Sequence, residues 1–537
     1  MTDLNLKFIT GRLEGNRLLE EYLAATPEAC RFYGGHFAAS DRLEKRAAEV
    51  DRRLDRQRAA AVLSSQRTFA LVKNGGRRIA GFLEKRGFIT TTGQQPVLFG
   101  VPLYIIYKCL TAIRMAAYAE QALGVPVLPV FWNASEDHDL AEAASLSLPN
   151  LNNELESLSV PAEAINNRPL CQVEVGPEVE ALLTRFQEIS PETEFRPWIT
   201  GLLGTAYTRD RDLGLAFSTF IAALFADQGL FVVDACHPSI REGSRELFER
   251  EIFRAGESRL VIEQTSAELA RSGYPLQIAI QPEDTSLFLI REGRREKLQT
   301  TGNENEFRLK ASGDLIQAGE LRRILENHPV SFSPGVMLRP LVEAHLFGSL
   351  CYAAGPGEIS YYAQMGGLYE LHGLGMPLIR PRLSGILLEH KIGRILEKYG
   401  LGAGDFRQGA DALSGRLLGR EGPTARLIAE LGELRGQSAA ALGRIRELAL
   451  SADPTLAGPV SATSEALASS LSRLENRITA AAKKQNEVLI SQLGKAAVHL
   501  RPRGKPQERE LAGIYYLVRY GAKLIDFLYE QAGVETD

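Results

Sequence analysis

The sequence predicts an α/β protein: a Rossmann-like, doubly wound parallel sheet with two connecting insertions, followed by a C-terminal helical, antiparallel coiled coil. Three observations predict it. Four β-rich runs end in polar or glycine-rich clusters: "FITTT" into "GQQP", "VPVLPVFW" into "NASEDHD", "GLFVVD" into "ACHP", and "LCYAAG" into "PGEISYY". Between the first two lies "LYIIYKCLTAIRMAAYAEQALG", rich in helix formers, so strand, helix and strand succeed one another as in a βαβ unit. After Arg382 the apolar residues fall into a 4-3 spacing, the signature of a coiled-coil seam. A chain of 537 residues has room for two or three such bodies with well-buried cores. We divide it into a core over 1–383 and a helical domain over 384–537.

Each element has a local reason. The first strand stops at Gly93, and the helix after it follows Pro102, which suits a first helical position where a missing N–H costs nothing. The unpaired N–H groups of that helix, with its dipole, offer an anion site. Residues 150–200, rich in Asn, Glu and Pro, read as an insertion of loops and short helices. Residues 238–330 begin helical and then alternate in "YPLQIAIQPEDTSLFLIREGRREKLQ". That alternation predicts an antiparallel meander with turns at Pro282–Asp284 and Glu292–Gly293. "LCYAAG", a helix over 358–372 and "MPLIRPR" then repeat the strand–helix–strand order. In the last domain Leu427, Leu431, Leu434, Ser438, Ala441, Ile445 and Leu448 make one seam, and Leu467, Leu471, Leu474, Ile478 and Ala481 another. "SADPTLAGPVS" separates them, and its prolines break the helix into a hairpin.

Composition narrows the function classes. Charged residues make up 24% and apolar ones 45%, with a net charge of −4 and basic residues spread along the chain. Nucleic-acid binding calls for a clustered basic surface, which is lacking here. No apolar run approaches the roughly 20 residues that span a bilayer. The opening "MTDLNLKFITGRLEGN" has no signal-peptide core, so a cytoplasmic location is expected. The five cysteines (Cys30, Cys109, Cys171, Cys236 and Cys351) are widely spaced, without a C-x-x-C pair, and are expected to be free thiols.

Ligands of an open parallel sheet bind beyond the carboxyl ends of its strands. "GQQP", "NASEDHD", Asp234 and "GPGE" are therefore expected to converge on one rim. Gln94 and Gln95 bring directed hydrogen bonds without net charge. Tyr104 and Lys108 share a helix face, which lets Lys108 reach a phosphate or carboxylate. Glu136, Asp137, His138 and Asp139 are the catalytic candidates, because crowded carboxylates raise a pKa unless a cation or donor offsets them. Asn133, Asp234, Arg339, Gly355, Gly357, Glu358 and Tyr361 complete the substrate-binding set. Near the C-terminus, Arg501, Arg503, Lys505 and Arg509 with Tyr515, Tyr516 and Tyr520 suggest a second nucleotide pocket, stacking a base and holding phosphates between the coiled coil and the core. A metal site has little sequence support, since no H-x-x-x-H or H-x-x-E-H spacing occurs; His237 is the candidate second imidazole.

Taken together, "TGQQP…GVPLYIIYK", "VPVFWNASEDHD", "SFSPGVMLRPLVE", "AGPGEISYYAQ", "MPLIRPR" and "PRGKPQERE…RYG" resemble the BshC family, the cysteine ligases of bacillithiol biosynthesis. The strings span about residues 88 to 521 in family order. The resemblance implies a Rossmann-like core related to nucleotidyltransferases, a coiled coil that helps form a homodimer, and condensation of cysteine with glucosaminyl malate. It implies ATP or ADP as the nucleotide by analogy with ATP-dependent cysteine ligases, and leaves a metal open. Val97 and Val101 stand where the family usually has Gly, and Gly335 where it usually has Asn. Two other readings are carried forward: a metal-assisted hydrolase or deacylase built on Glu136–Asp139 with His237, and a non-enzymatic coiled-coil scaffold.

Overall fold

The structure is a computed structural model; it describes all residues except 1–3, 101, 138–144, 162–167, 304, 421–422, 486 and 534–537. The chain forms two compact units. One holds residues 8–151, 156–386 and 508–537; the other is built chiefly from 387–507.

The larger unit is organised by five strands: β1 (Phe88–Gln94), β2 (Val127–Asn133), β3 (Phe231–Asp234), β4 (Cys351–Ala354) and β5 (Leu378–Pro381). They lie in the order β5-β4-β1-β2-β3, and every neighbouring pair is parallel. The order reverses between β1 and β4, which makes the gap beyond their carboxyl ends the topological switch point. β2 is buried along its whole length and β1 nearly so, as expected for strands covered on both faces. The doubly wound fold read from the sequence is thus the fold observed.

The connection out of β1 is tight. Phe99 (φ 49°) and Gly100 (φ 74°) both sit in the left-handed region, and a Cβ at Gly100 would lie 2.3 Å from Phe220. Only glycine is free of penalty there. The helix α1 (Leu103–Leu123) follows and ends on Gly124, also left-handed at φ 70°. Pro102 is the N-cap residue, one position earlier than its sequence placement. The Leu103 N–H donates to the Leu511 carbonyl (3.0 Å), so the C-terminal segment takes one of the donors expected for an anion.

The second insertion does contain an antiparallel sheet, with Asp284–Arg291 paired to Arg294–Thr300 through a turn at Glu292 (φ 52°) and Gly293 (φ 75°). These two left-handed residues are what a two-residue hairpin turn requires. The sheet differs from expectation in extent. "QIAI" is not a strand; the sheet instead continues through Glu306–Leu309 and Leu315–Gln317 and is flanked on its other side by Phe332–Pro334. The first insertion carries helices at Pro177–Ile189 and Arg196–Ala206.

In the other unit, α4 (Pro423–Ala452) and α5 (Ala457–Gln485) form the expected hairpin. The break is shorter than the proline spacing suggested. Pro459 lies inside the first turn of α5, where it gives up no intrahelical bond. Only Leu431 and Leu471 of the two seams are buried, each 7% exposed. Leu427, Leu434, Ile445, Leu448, Leu467 and Leu474 are exposed, so most of both apolar stripes lies open within this chain.

Candidate active site at the switch point

A cavity of about 650 Å³ opens at the switch point. It gathers Gln94, Gln95, Tyr104, Lys108, Glu136 and Asp137 from the β1 and β2 ends. Arg339, Gly355, Gly357, Glu358 and Tyr361 come to it from the chain around β4. The convergence expected from separate motifs therefore occurs for "GQQP", the start of "EDHD" and "GPGE". His138 and Asp139 lie outside the described residues.

Lys108 ties the two sides of the switch point together. Its ammonium is 2% exposed and donates to the Gly93 carbonyl (2.6 Å) and Gln94 Oε1 (3.0 Å), and pairs with Glu358 Oε2 (2.6 Å). An ammonium has three N–H donors, so these contacts use its full capacity. Burial pushes the lysine below the ordinary ammonium range and the Glu358 charge pulls it back. Glu358 is held in turn by the Tyr352 hydroxyl (2.6 Å) and the Gly355 N–H (2.7 Å), at the start of the helix α3 (Pro356–Tyr362). The ligand-reaching role expected of Lys108 is thus replaced by a bracing one. The glutamines at the β1 end have a matching reason: Gln94 offers a neutral acceptor to a lysine that glycine could not hold in place.

Arg339, at the start of α2 (Arg339–Phe347), donates to Glu343 Oε2 (3.0 Å) and the Tyr361 hydroxyl (2.9 Å). The Thr91 hydroxyl donates to the other Glu343 oxygen. This chain of bonds fixes the guanidinium against the cavity wall.

Glu136 is different. It is 3% exposed, its Oε2 receives no hydrogen bond from any described residue, and its nearest ion-pair partner, Arg241 Nη2, stands 3.8 Å away. Burial raises its pKa above the ordinary carboxyl value, against the pull of Arg241 and Arg295. A buried carboxylate with an open lone pair at a cavity wall is placed to accept a proton.

Several predicted residues lie elsewhere. Asn133 is fully buried, and its side-chain amide donates to the Gly214 carbonyl (2.9 Å) and Ser218 Oγ (2.7 Å); it helps fasten β2 to the helix over Leu213–Leu224. Asp234 and His237 line a separate, smaller cavity and not the main one. Asp234 accepts from Ser135 Oγ and from the Cys236 N–H (2.9 Å), which turns it away from the rim. Of the proposed second nucleotide pocket, Arg509 lines the main cavity. Tyr520 belongs to the same unit, whereas Arg501, Arg503 and Lys505 belong to the helical unit. Among the described residues no group of three His, Cys, Asp or Glu side chains is arranged to hold a metal ion.

Arg295, Lys297, Phe288, Gln277 and Arg382 also line the cavity and were missed by sequence reasoning. Arg295 and Lys297 are two apart on one strand, so they share a face, which was the available signal in "REGRREKLQ". Both cations sit over the Phe288 ring, at 3.9 and 4.6 Å from its centroid. Arg295 also donates to Ser333 Oγ (3.0 Å) and the Pro334 carbonyl (2.9 Å). The Lys297 ammonium makes no hydrogen bond or ion pair with any described residue, while its backbone carbonyl accepts from the Lys310 N–H (2.9 Å). Arg382 is held by Glu508 (2.7 Å) and lies 5.4 Å from the Tyr104 ring.

The five cysteines are not all free thiols. Cys171 and Cys236 are joined as a disulfide, while Cys30, Cys109 and Cys351 are free and buried. The pair is 65 residues apart and is brought together by the first insertion folding over the end of β3, a long-range contact that spacing alone does not reveal.

Family models for bacillithiol biosynthesis BshC match nearly the whole chain: its N-terminal Rossmann-like domain over residues 4–383 and its C-terminal coiled-coil domain over 385–534. The chain belongs to the BshC family. A BshC relative from Salinibacter ruber is 31% identical over 522 residues, covering 97% of this chain and 94% of the relative. One from Chlorobaculum tepidum is 32% identical over 464 residues, covering 84% and 81%. One from Anoxybacillus flavithermus is 29% identical over 522 residues, covering 96% and 95%. Each of the three bears the name "Putative cysteine ligase BshC". The BshC family boundary near residue 384 differs from the division by packing, in which residues 508–537 return to the α/β unit. No helix among the described residues is long and apolar enough to cross a membrane.

Proposed function

We propose that this protein is a cysteine ligase of bacillithiol biosynthesis, joining the cysteine carboxyl to the amine of glucosaminyl malate. The observation that carries the reading is Glu136: a buried carboxylate with an open lone pair, its pKa raised by burial, in a cavity whose other charged walls are mainly cationic. Amine attack on an activated carboxyl needs a free lone pair, and a base of raised pKa is suited to remove the proton. Lys297 and Arg509 suit the malate carboxylates or a phosphate group, and Arg339 and Arg295 suit charge that develops on the attacked carbonyl. Tyr104 and Gln95 give the cavity polar positions for the sugar hydroxyls.

ATP, when bound, supplies the activation of the cysteine carboxylate. The residues present fit its phosphates through side-chain cations and not through a backbone cradle. The β1–α1 turn has no glycine-rich loop, and the Leu103 N–H is already bonded to Leu511. The exposed stripe of Leu427, Leu434, Ile445 and Leu448 supports a homodimer formed through the coiled coil.

The test is direct. Purified protein is incubated with glucosaminyl malate, cysteine and ATP, and bacillithiol and the nucleotide products are measured by mass spectrometry. Bacillithiol formation that needs all three supports the proposal. Formation without ATP overturns the nucleotide assignment, and no formation over a range of pH and magnesium concentration overturns the ligase assignment.

A further inference from the structure

A second cavity, of about 390 Å³, lies beside the first. Its wall contains the Cys171–Cys236 disulfide, with both cysteines partly exposed. It is also lined by cations, Arg67 and Arg241, and by acids, Asp212 and Asp234. Arg241 is 1% exposed, and its Nη1 and Nη2 donate to no described residue. Its counter-charge, Glu136 Oε2, stands 3.8 Å away, beyond hydrogen-bond distance, so the guanidinium keeps donors for a further carboxylate at the cavity wall. We propose that this cavity binds a low-molecular-weight thiol carrying both a carboxylate and an ammonium, and that the bound thiol exchanges with the Cys171–Cys236 disulfide.

The chemistry is balanced by the thiol alone. The incoming thiolate attacks one sulfur, the Cys–Cys bond breaks, a mixed disulfide forms and the other cysteine leaves as a thiolate that takes a proton. A second thiol molecule then attacks the mixed disulfide. Two thiols are oxidised to one small disulfide, and the protein pair is reduced to two thiols. His237, next to Cys236 on the same wall, is kept neutral by burial and accepts from the Ser239 N–H at Nδ1 (3.3 Å), so its other ring nitrogen carries the proton and the proton of the incoming thiol passes to solvent. The remaining cysteines are poor competitors, since burial raises the thiol pKa of each.

The exchange is coupled to the main site by short connections. The Cys171 N–H donates to the Ser135 carbonyl (3.0 Å), the Cys236 N–H donates to Ser135 Oγ (3.3 Å), and the Leu170 N–H donates to the Asp137 carbonyl (3.1 Å). The disulfide thus clamps the turn that presents Glu136, and Arg241 stands between Glu136 and the second cavity. This proposal does not depend on the ligase reading, and its test needs no turnover.

Protein isolated without reductant is exposed to L-cysteine or to cysteamine, a thiol of similar acidity that lacks the carboxylate, and quenched by alkylation. Peptides are then mapped by non-reducing mass spectrometry. We expect a Cys171–Cys236 link at the start, and then a mixed disulfide at one of the two with the other alkylated. Cysteine should react about tenfold faster than cysteamine, the effect of one charge-assisted hydrogen bond. Arg241→Gln should erase that preference. Should that variant fail to fold, Arg67→Gln, at an exposed position, should reduce it and so decides the matter. Free Cys171 and Cys236 at the start, equal rates for the two thiols, or labelling spread over Cys30, Cys109 and Cys351 would each overturn the proposal.

Discussion

Glu136→Gln separates chemistry from packing at the proposed base. The substitution keeps the shape and removes the charge. At 3.8 Å and an effective dielectric near 20, the Glu136–Arg241 attraction is about 4 kcal/mol, so the single variant also leaves Arg241 without its counter-charge. Burial has raised the Glu136 pKa, which means desolvation of the carboxylate outweighs that attraction, and the two effects partly cancel in Gln. The net change in stability is therefore expected to stay within a few kcal/mol, and a thermal melt checks it. Turnover should fall by roughly 10²- to 10⁴-fold, the range for losing a general base, with little change in the KM for glucosaminyl malate. The double variant Glu136→Gln/Arg241→Met removes both charges and should recover stability without recovering turnover. In the wild type, kcat/KM should drop as pH falls through the raised Glu136 pKa, and that acid limb should disappear in the variant. A loss of turnover smaller than about tenfold, or turnover that returns with stability in the double variant, refutes Glu136 as the base.

Further outcomes follow from the same geometry. Lys297→Ala should raise the KM for glucosaminyl malate by roughly tenfold or more while leaving the melting temperature nearly unchanged, because the ammonium holds only the Phe288 ring contact and the backbone hydrogen bonds survive in Ala. Lys108→Met should destabilise the α/β unit by about 3–5 kcal/mol, read by denaturant unfolding, since it strips the mostly buried Glu358 carboxylate of its partner and the Gly93 carbonyl of its donor. Burial and nearby Arg250 lower the His372 imidazole from 6.5 to about 4. The folded state thus binds fewer protons than the unfolded chain between those values, and stability falls as pH drops through that window, by about 3 kcal/mol in total. His372→Phe should flatten that acid limb. Leu434→Glu with Leu448→Glu should convert a homodimer to a monomer in light scattering and leave the α/β unit folded.

The parallel sheet was legible because its strands are short apolar runs, each stopped by a polar turn, and both features are local. Gln94, Glu136, Gly355 and Arg339 could be placed at one rim because strand ends in such a sheet must share an edge. Asp234 obeyed the same rule and still left the rim, because Ser135 and the Cys236 N–H draw its carboxylate to the neighbouring cavity. Lys108 reads as a ligand-binding cation in sequence, and only its three partners show that its donors are taken. Arg295 and Lys297 were hidden for another reason. An insertion looks like ornament until its sheet is seen to face the switch point, and no local pattern encodes that docking. The disulfide was hidden in the same way, by a sequence separation of 65 residues.

The Glu508 carboxylate takes hydrogen bonds from Arg382 Nη2 (2.7 Å), Ser384 Oγ (3.1 Å) and the Gly385 N–H (3.1 Å). The chain thus departs from the α/β body and comes home to it at one knot. What lies between, Leu387 to Gln507, is a detour of some 120 residues that makes up most of the helical unit, which also takes in residues 1–7 and 152–155. A short linker from Ile386 to Glu508 should let the α/β unit fold without that detour, as a circuit does when a loop is bypassed at its own terminals.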